Sequence, residues 1–227
     1  MSDYDDDMLH GGFGAQIPSV EPEAQIDPSQ YLLHLTQAWI NERAAPDLLQ
    51  YEEDSVTNLL ARIEEQTATI DELDSGTETA MIISILYQTE LERVKFVLRS
   101  YLRTRISKLE RYCTFILADP SSRRRLSRAE VAYAENYLRA TTQHYHNSFL
   151  SSLPPSVQPQ DLEVFDRKLS MVSQPPLDEA VFFRVVADIG DFQISEEDTL
   201  LLQPGQIYIL RYRTVRVLLQ RGQIELI

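Results

Sequence analysis

Apolar residues recur at helical spacing between residues 29 and 153, and this pattern predicts four helices. The first helix begins near Ser29, and its apolar stripe consists of Leu32, Leu35 and Trp39. The second begins near Asp47, whose side chain is placed to cap the free amides of the first turn. It ends at Gly76, which suits a helix terminus, and its stripe consists of Val56, Leu60, Ile63, Ile70 and Leu73.

The third predicted helix is the longest, because residues 77–118 contain neither Pro nor Gly. Its main stripe consists of Leu91, Val94, Leu98, Leu102, Leu109, Cys113 and Ile116. Further apolar residues widen this stripe beyond one face: Ile82, Ile83, Ile85, Leu86, Phe96, Val97, Tyr101, Ile106, Tyr112 and Phe115. A helix of about 40 residues would be about 60 Å long. Part of it is therefore expected to project from the domain or to pack on another chain.

The fourth predicted helix opens with the capping-box pattern Ser127-Arg128-Ala129-Glu130. Its stripe consists of Val131, Ala134, Leu138, Thr141, Tyr145 and Phe149, and it ends near Leu153, before two consecutive prolines. Five of the chain's 11 prolines lie at positions 154, 155, 159, 175 and 176, which indicates a linker.

Strand patterns replace helical ones after the linker. Strands are predicted at 181–186, 192–194, 207–212 and 223–227, with a turn at 203–206. A short helix from Val215 to Arg221 is predicted between the last two strands, with Thr214 as its cap and Gly222 closing it. The expected fold class is α+β, mainly α with a small β-rich C-terminal domain. The expected division is an acidic tail (1–28), a helical bundle A domain (29–153), a proline-rich linker (154–178) and a β-rich B domain (179–227).

Charge is segregated along the chain, whose formal net charge is −14. Residues 1–92 hold 20 acidic residues and two Arg, whereas residues 93–128 hold 11 Lys or Arg and two acidic residues. The overall acidity disfavours broad wrapping of nucleic acid. Blocks of opposite sign favour complementary surfaces, within the fold or between subunits.

The basic block, Arg93–Arg128, has two interpretations. It pairs with acidic helices, of this chain or of a partner, or it forms a DNA-binding module that contacts phosphates. The acidity of residues 1–92 favours pairing. Direct DNA contact stays open at this point.

No pattern predicts catalysis, a metal or a cofactor. The chain contains no G-x-S-x-G, Walker A or H-E-x-x-H motif. His144 and His146 are two residues apart on a predicted helix, so they point in different directions. The single Cys113 excludes an internal disulfide and favours a reducing compartment. No apolar run is long enough to span a membrane, and no signal peptide is expected.

Several segments resemble the Sld-five family of the GINS complex. Leu35-Thr-Gln-Ala-Trp39-Ile-Asn-Glu42 resembles its L-x-x-A-W-x-N-E opening, and Leu126-Ser127-x-x-Glu130 resembles its L-S-x-x-E. Residues 93–110 are similar to its R-x-x-Y-V-L-x-S-Y-L-R-x-R-L-x-K-I-E helix. The segments Leu210–Thr214 and Gln223–Ile227 resemble its C-terminal motifs. The likeness covers about residues 29–227.

The resemblance implies a non-catalytic subunit of a nuclear, four-chain replication complex. Its partners would be three Psf-type GINS subunits, together with the MCM helicase ring and its Cdc-type recruiting factor. The acidic tail resembles the family poorly, although Asp6, Asp7, Met8 and Leu9 are a candidate docking motif for a replisome hub adaptor. The stripes and the matched motifs suggest as interface residues Trp39, Asn41, Glu42, Leu98, Tyr101, Leu102, Arg103, Arg105, Leu109, Leu226 and Ile227.

Overall fold

The computed structural model describes residues 28–72, 77–161, 163–164, 169–194 and 198–227. The expectations for the acidic tail, including Asp6, Asp7, Met8 and Leu9, lie outside the described residues. The same holds for the helix end expected at Gly76. Within the described residues the fold is a helical bundle followed by a small antiparallel sheet region, which confirms the predicted fold class.

In the described residues the helical region contains six α-helices, of which the second, third and sixth are the longest. The helices are α1 (Pro28–Ala44), α2 (Glu53–Glu72), α3 (Glu78–Arg111), α4 (Cys113–Ala118), α5 (Pro120–Arg123) and α6 (Arg128–Ser148). Single 3₁₀ turns at Leu150–Ser152 and Pro155–Val157 follow α6. The helices α1, α2 and α3 pack together around Leu35, Leu59 and Leu98, whereas α3, α4 and α6 pack around Leu109, Ile116 and Ala134.

The second helix begins six residues later than predicted, and Asp47 does not cap it. Residues 45–52 instead cross the bundle without helical structure, and the Asp47 carboxylate binds side chains from α7 and from the loop before α6. The buried stripe also differs, because Leu59 is buried whereas Leu60 is exposed. Tertiary ion pairing of Asp47 thus overrides its local capping preference.

The long third helix is interrupted at Tyr112, where the backbone leaves the helical region (φ −114°, ψ 23°). Both Tyr112 and the next residue, Cys113, are buried against α6, and the Cys113 Sγ–H group donates to the Ala134 carbonyl at 3.3 Å. Consecutive residues on a straight helix point about 100° apart, so a break lets both face α6. The 34 residues of α3 still extend about 51 Å at 1.5 Å per residue.

The predicted capping box of α6 is confirmed. The Ser127 hydroxyl accepts from the Glu130 amide at 3.2 Å, and the Ser127 amide donates to the Glu130 carboxylate at 2.9 Å. The two bonds satisfy free amides at the start of the helix. They also fix the position of Glu130, which has a second set of partners described below.

The C-terminal region contains seven strands and one helix in the described residues. They are β1 (Glu163–Val164), β2 (Leu169–Ser170), β3 (Ala180–Val185), β4 (Gly190–Gln193), β5 (Thr199–Leu202), β6 (Ile207–Arg211), α7 (Tyr212–Gln220) and β7 (Ile224–Leu226). β1 pairs with β2 and β4 with β5, while β6, β3 and β7 form an antiparallel sheet in that order. The predicted strands are confirmed, but three were missed. β1 and β2 lie in the segment predicted as a linker, and the Thr-Leu-Leu-Leu sequence of β5 does not alternate.

The helix α7 begins at Tyr212, two residues before the predicted cap Thr214. The amides of Tyr212 and Arg213 donate to the carbonyls of Glu179 and Leu177 at 2.8 and 2.9 Å. Because these bonds satisfy first-turn amides, the helix needs no side-chain cap. Gly222 ends the helix at φ 68°, a conformation that glycine adopts without the steric cost of a Cβ atom.

The core of the sheet region includes residues from the helical region. Phe183, Leu202, Val215 and Ile224 are buried there together with Ala45, and Leu49 packs against them. The small sheet therefore completes its core against the segment 45–52, which explains how so few strands become stable.

Candidate functional site

Arg105 is the centre of a buried charge cluster between α1, α3 and α6. Its side chain is 0% exposed. The guanidinium donates to both Glu130 oxygens, at 2.7 Å from Nε and 3.0 Å from Nη2, and to Glu42 at 3.0 Å from Nη1. Its remaining donors reach the carbonyls of Leu49 at 2.9 Å and Arg125 at 3.1 Å. Arginine suits this position because its planar fork can hold a bidentate carboxylate while serving other acceptors.

The pKa values of the two basic side chains that bind Glu42 shift in opposite directions. Burial acts to lower the pKa of Arg105, but the hydrogen bonds and charge of Glu130 and the charge of Glu42 outweigh it, so the pKa lies above its ordinary value. Lys108 also binds Glu42, at 2.8 Å to the carboxylate, and donates to the Asp47 carbonyl at 2.7 Å. Burial lowers the pKa of Lys108 despite this attraction to Glu42.

Asp47 extends the charge cluster to the C-terminal region. Its carboxylate accepts a hydrogen bond from the Tyr212 hydroxyl and ion-pairs with Arg125 at 3.0 Å and Arg216 at 2.9 Å. Tyr212 and Arg216 belong to α7, whereas Arg125 lies just before α6. One buried carboxylate thus joins the helical bundle to the helix that supports the sheet.

A second contact joins α1 to the last strand. The Leu226 amide donates to the Asn41 side chain at 2.8 Å, and the Leu226 carbonyl accepts from Gln37 at 3.5 Å. The W-x-N-E segment therefore contributes twice to internal structure, through Asn41 to β7 and through Glu42 to Arg105. The position of the sheet on the bundle is fixed by these polar contacts together with the core around Ala45.

Six predicted interface residues are buried inside this chain, and for them the expectation of partner contact is corrected. They are Glu42, Leu98, Tyr101, Arg105, Leu109 and Leu226, each at most 5% exposed. The stripe pattern could not separate self-packing from partner packing. The matched sequence motifs did not indicate that the charge cluster also contains Asp47, Lys108, Arg125, Tyr212 and Arg216. Glu130 was recognised by its capping box, Asp47 as a helix cap, and Lys108 and Arg125 as members of the basic block, but nothing in the sequence placed these residues together.

The other five predicted interface residues retain exposed surface. Arg103 is exposed and Ile227 is 48% exposed, while Asn41 and Leu102 are half-buried. The Trp39 ring is half-buried, meets Phe96 edge-on at 6.1 Å, and lies 5.5 Å from the Arg43 guanidinium carbon. These five stay candidates for partner contact.

Most of the basic block is paired with carboxylates of this chain. Among its 11 basic residues, those with ion pairs are Arg93, Lys95, Arg99, Arg105, Lys108, Arg123 and Arg125. In the described part of the chain, Arg103, Arg111, Arg124 and Arg128 have no ion pair. This distribution favours the pairing interpretation and leaves a reduced basic surface.

The first three turns of α3 expose a set of large apolar side chains, here called the α3 strip. Its members are between 38% and 67% exposed: Met81, Ile82, Ile83, Ile85, Leu86 and Tyr87. Phe96, farther along α3, and Leu60 of α2 are also exposed apolar side chains. Contiguous apolar surface of this kind marks a protein interface in a chain that folds in water.

The described residues contain neither a metal-binding cluster nor a membrane-spanning helix. No group of three or more His, Cys, Asp and Glu side chains is placed to hold a metal ion there. No helix of the described residues is long and apolar enough to cross a membrane.

Two regions of the chain match models of known protein domains. Residues 55–149 match the domain described as the GINS complex protein helical bundle domain. Residues 175–227 match the domain described as the DNA replication complex GINS protein SLD5 C-terminus.

Relatives that are named as DNA replication complex GINS protein SLD5 align along nearly the whole chain. The Schizosaccharomyces pombe protein is 40% identical over 210 residues, which cover 92% of this chain and 96% of the relative. The Arabidopsis thaliana protein is 36% identical over 85% of this chain and 89% of the relative. The Bos taurus protein is 32% identical, with coverage of 90% and 92%.

Proposed function

The chain belongs to the Sld5 family of GINS complex proteins, and from this membership we propose that it is a non-catalytic structural subunit of a four-chain GINS assembly. Its three partners are Psf-type subunits. Through that assembly it serves the MCM helicase ring and its Cdc-type recruiting factor in initiation and elongation of DNA replication. Its place of action is the nucleus.

The observation that carries this proposal is the α3 strip. Covering these large apolar side chains would stabilise the protein by about 25 cal/mol per Å² of apolar area removed from water. A chain that functions alone is therefore not expected to leave so many of them exposed. Obligate interfaces are apolar and bury roughly 2,000 Å² or more. The α3 strip lies in the first turns of α3, far from the segment of α3 that contacts α6. This position agrees with a surface that packs against a helix of a partner chain.

We further propose that the A domain (29–153) and the B domain (179–227) act as one rigid part of the assembly. The support is the charge cluster and the Asn41–Leu226 contact, which join them. The linker (154–178) is then not needed to position the sheet. Docking of a replisome hub adaptor through Asp6–Leu9 stays a prediction.

Co-expression with the three Psf-type subunits tests the proposal. A tagged chain is expected to recover all four chains in equal amounts, with the mass measured by light scattering after size exclusion. Expressed alone, the chain is expected to aggregate, because the α3 strip is uncovered. A stable, monodisperse monomer would contradict the proposal.

Substitutions in the strip refine the test. The double change Ile82→Asp and Leu86→Asp places two charges one helical turn apart on exposed positions, so the fold of the chain is kept while the apolar contact is lost. Recovery of the partners is expected to fall at least tenfold. The matched control is Val157→Asp, which places a charge at another exposed apolar position, outside the strip, and which is expected to leave recovery unchanged.

A DNA-binding module is the second candidate function, and the unpaired arginines are what favours it. Arg124 and Arg128 lie close together in the chain and are exposed. Their replacement by Ala should abolish salt-dependent DNA binding by the assembly if the module exists. Arg125 is unsuitable for this test, since it pairs with Asp47.

A further inference from the structure

The two outer strands of the C-terminal sheet, β6 and β7, differ in what contacts their outer edges. The central strand β3 bonds β7 through its even-numbered residues, as shown by the Val186 amide, which donates to Gln223 at 2.9 Å. It bonds β6 through its odd-numbered residues, as shown by the Val185 amide, which donates to Gln206 at 3.0 Å. This alternation is the pattern of an antiparallel sheet.

The register then determines which backbone groups point outward. Ile207 and Ile209 lie opposite Arg184 and Phe182, the even-numbered residues of β3, and Arg211 follows in the same alternation. Their amides and carbonyls therefore point away from β3, toward the outer edge of β6. The corresponding outward groups of β7 belong to Ile224 and Leu226, opposite odd-numbered residues.

The β7 edge is covered by α1, but the β6 edge is not. Asn41 and Gln37 bind the amide and the carbonyl of Leu226. In the part of the chain that the structure describes, no group hydrogen-bonds the outward backbone groups of Ile207 or Ile209, whereas Arg211 is the N-cap residue of α7. An open edge of this kind can pair with another extended chain.

The outer face beside this edge is apolar and flanked by positive charge. Phe182, Ile207 and Ile209 are 57%, 56% and 53% exposed, and Phe182 lies directly opposite Ile209. Arg184 and Arg211 are exposed on the same face, and within the described residues neither has an ion pair. A strand added to the edge would place its alternate side chains against this face.

We propose that the outer edge of β6 docks an extended segment of a protein outside the four-chain assembly. In that segment apolar residues alternate with Asp or Glu. The backbone edge provides the affinity, the Phe182–Ile209 surface accepts the apolar side chains, and Arg184 and Arg211 select acidic ones. A second copy fits less well, because edge-to-edge pairing would bring two sets of arginines together.

The proposal rests on the proposed function in one respect, because it takes the four-chain assembly as the form that binds the segment. The experiment therefore uses the four-chain complex with the full-length chain. The probe is a synthetic eight-residue peptide that alternates Val with Asp. The control peptide alternates Val with Lys. Binding is measured by fluorescence anisotropy, and the contact is located by hydrogen exchange of the β6 amides.

The acidic peptide is expected to bind at least tenfold more tightly than the basic one and to slow exchange at Ile207 and Ile209. Ile209→Pro should weaken binding at least tenfold, because it removes an outward amide while the ladder to β3 loses no donor. The matched control Ile209→Thr keeps the amide and the branched side chain, so its affinity should stay within about threefold. The pair Arg184→Glu and Arg211→Glu should reverse the preference between the peptides.

Several results would overturn the proposal. Equal binding of the two peptides would remove the role of the arginines, and unchanged binding by Ile209→Pro would remove strand pairing. Slow exchange of the β6 amides in the complex without peptide means that the edge is already occupied. Loss of that protection on dilution would identify a second copy as the occupant, and its loss on deletion of residues 1–27 would identify the tail. Failure of the four chains to assemble, in contrast, refutes the proposed function.

Discussion

Replacing Arg105 with Ala is expected to destabilise the chain strongly. The change removes five hydrogen bonds and leaves two carboxylates with reduced compensation, Glu42 at 1% exposure and Glu130 at 9%. Breaking a buried ion pair by removing one partner costs about 3–5 kcal/mol, chiefly because the other charge stays buried. Lys108 still neutralises part of the Glu42 charge, so we expect a loss of about 3–4 kcal/mol.

The substitution Arg105→Lys tests the contribution of the hydrogen-bond geometry of this side chain separately from that of its charge. Lysine keeps one positive charge, but its ammonium cannot hold Glu130 in a bidentate pair while also reaching the carbonyls of Leu49 and Arg125. Lost hydrogen bonds to charged groups cost about 1.5–3 kcal/mol. We therefore expect Arg105→Lys to be intermediate, about 2 kcal/mol less stable than the unchanged chain.

The assay is pulse proteolysis of the four-chain complex in urea, with intact chain measured by a tag on this subunit. A typical urea dependence of about 1–3 kcal/mol per M converts the Ala loss into a midpoint shift of about 1–4 M. The control is Arg111→Ala on the same helix, which is exposed and without an ion pair among the described residues. Equal midpoints for Arg105→Ala and Arg111→Ala would refute the structural role of the charge cluster.

Three further predictions follow from other contacts. Asp47→Asn should increase proteolysis between residues 158 and 179 while far-ultraviolet circular dichroism stays unchanged, because it weakens the contacts of Asp47 with α7 and with Arg125 but leaves the helices and strands themselves intact; unchanged cleavage would contradict this. Burial raises the pKa of both Tyr101 and Tyr212 above 10.0, so their stabilisation is complete below about pH 10 and is lost as the pH rises further. Tyrosinate absorbance should then rise together with unfolding, and its rise in a still-folded chain would contradict the assignment. Deletion of Gln223–Ile227 removes β7, so recovery of the four-chain complex should fall, and unchanged recovery would exclude a role of this strand in assembly.

Features with a local cause could be predicted from the sequence. The capping box at Ser127 depends on residues three apart, and the strand at 181–186 is recognised from its own β-branched and aromatic residues. Helical stripes likewise identified α1, α3 and α6. In each case the deciding interactions lie within a few positions of one another, where periodicity and turn chemistry carry information.

The charge cluster could not be predicted in this way. Arg105 and Glu42 are 63 residues apart, and Asp47 and Tyr212 are 165 apart. An isolated Asp before an amphipathic segment favours an N-cap locally, and only the position of α7 in three dimensions shows why Asp47 has another role. The apolar stripes had a related limit, since periodicity identifies an apolar face without identifying what covers it.

Two features of burial in this chain differ from those expected for a protein that works alone. Seven charged side chains, led by Arg105 and Asp47, are buried or partly buried where the helices meet the sheet, while the α3 strip is exposed. Apolar replacement of a buried ion pair often keeps or raises stability, so stability alone does not account for the cluster. Its directional hydrogen bonds do fix the orientation of α7 and the sheet relative to α3. A partner that covers the α3 strip therefore finds the C-terminal sheet in one defined position. The buried charges thus fix the relative orientation of the exposed apolar surface and the sheet, on which assembly depends.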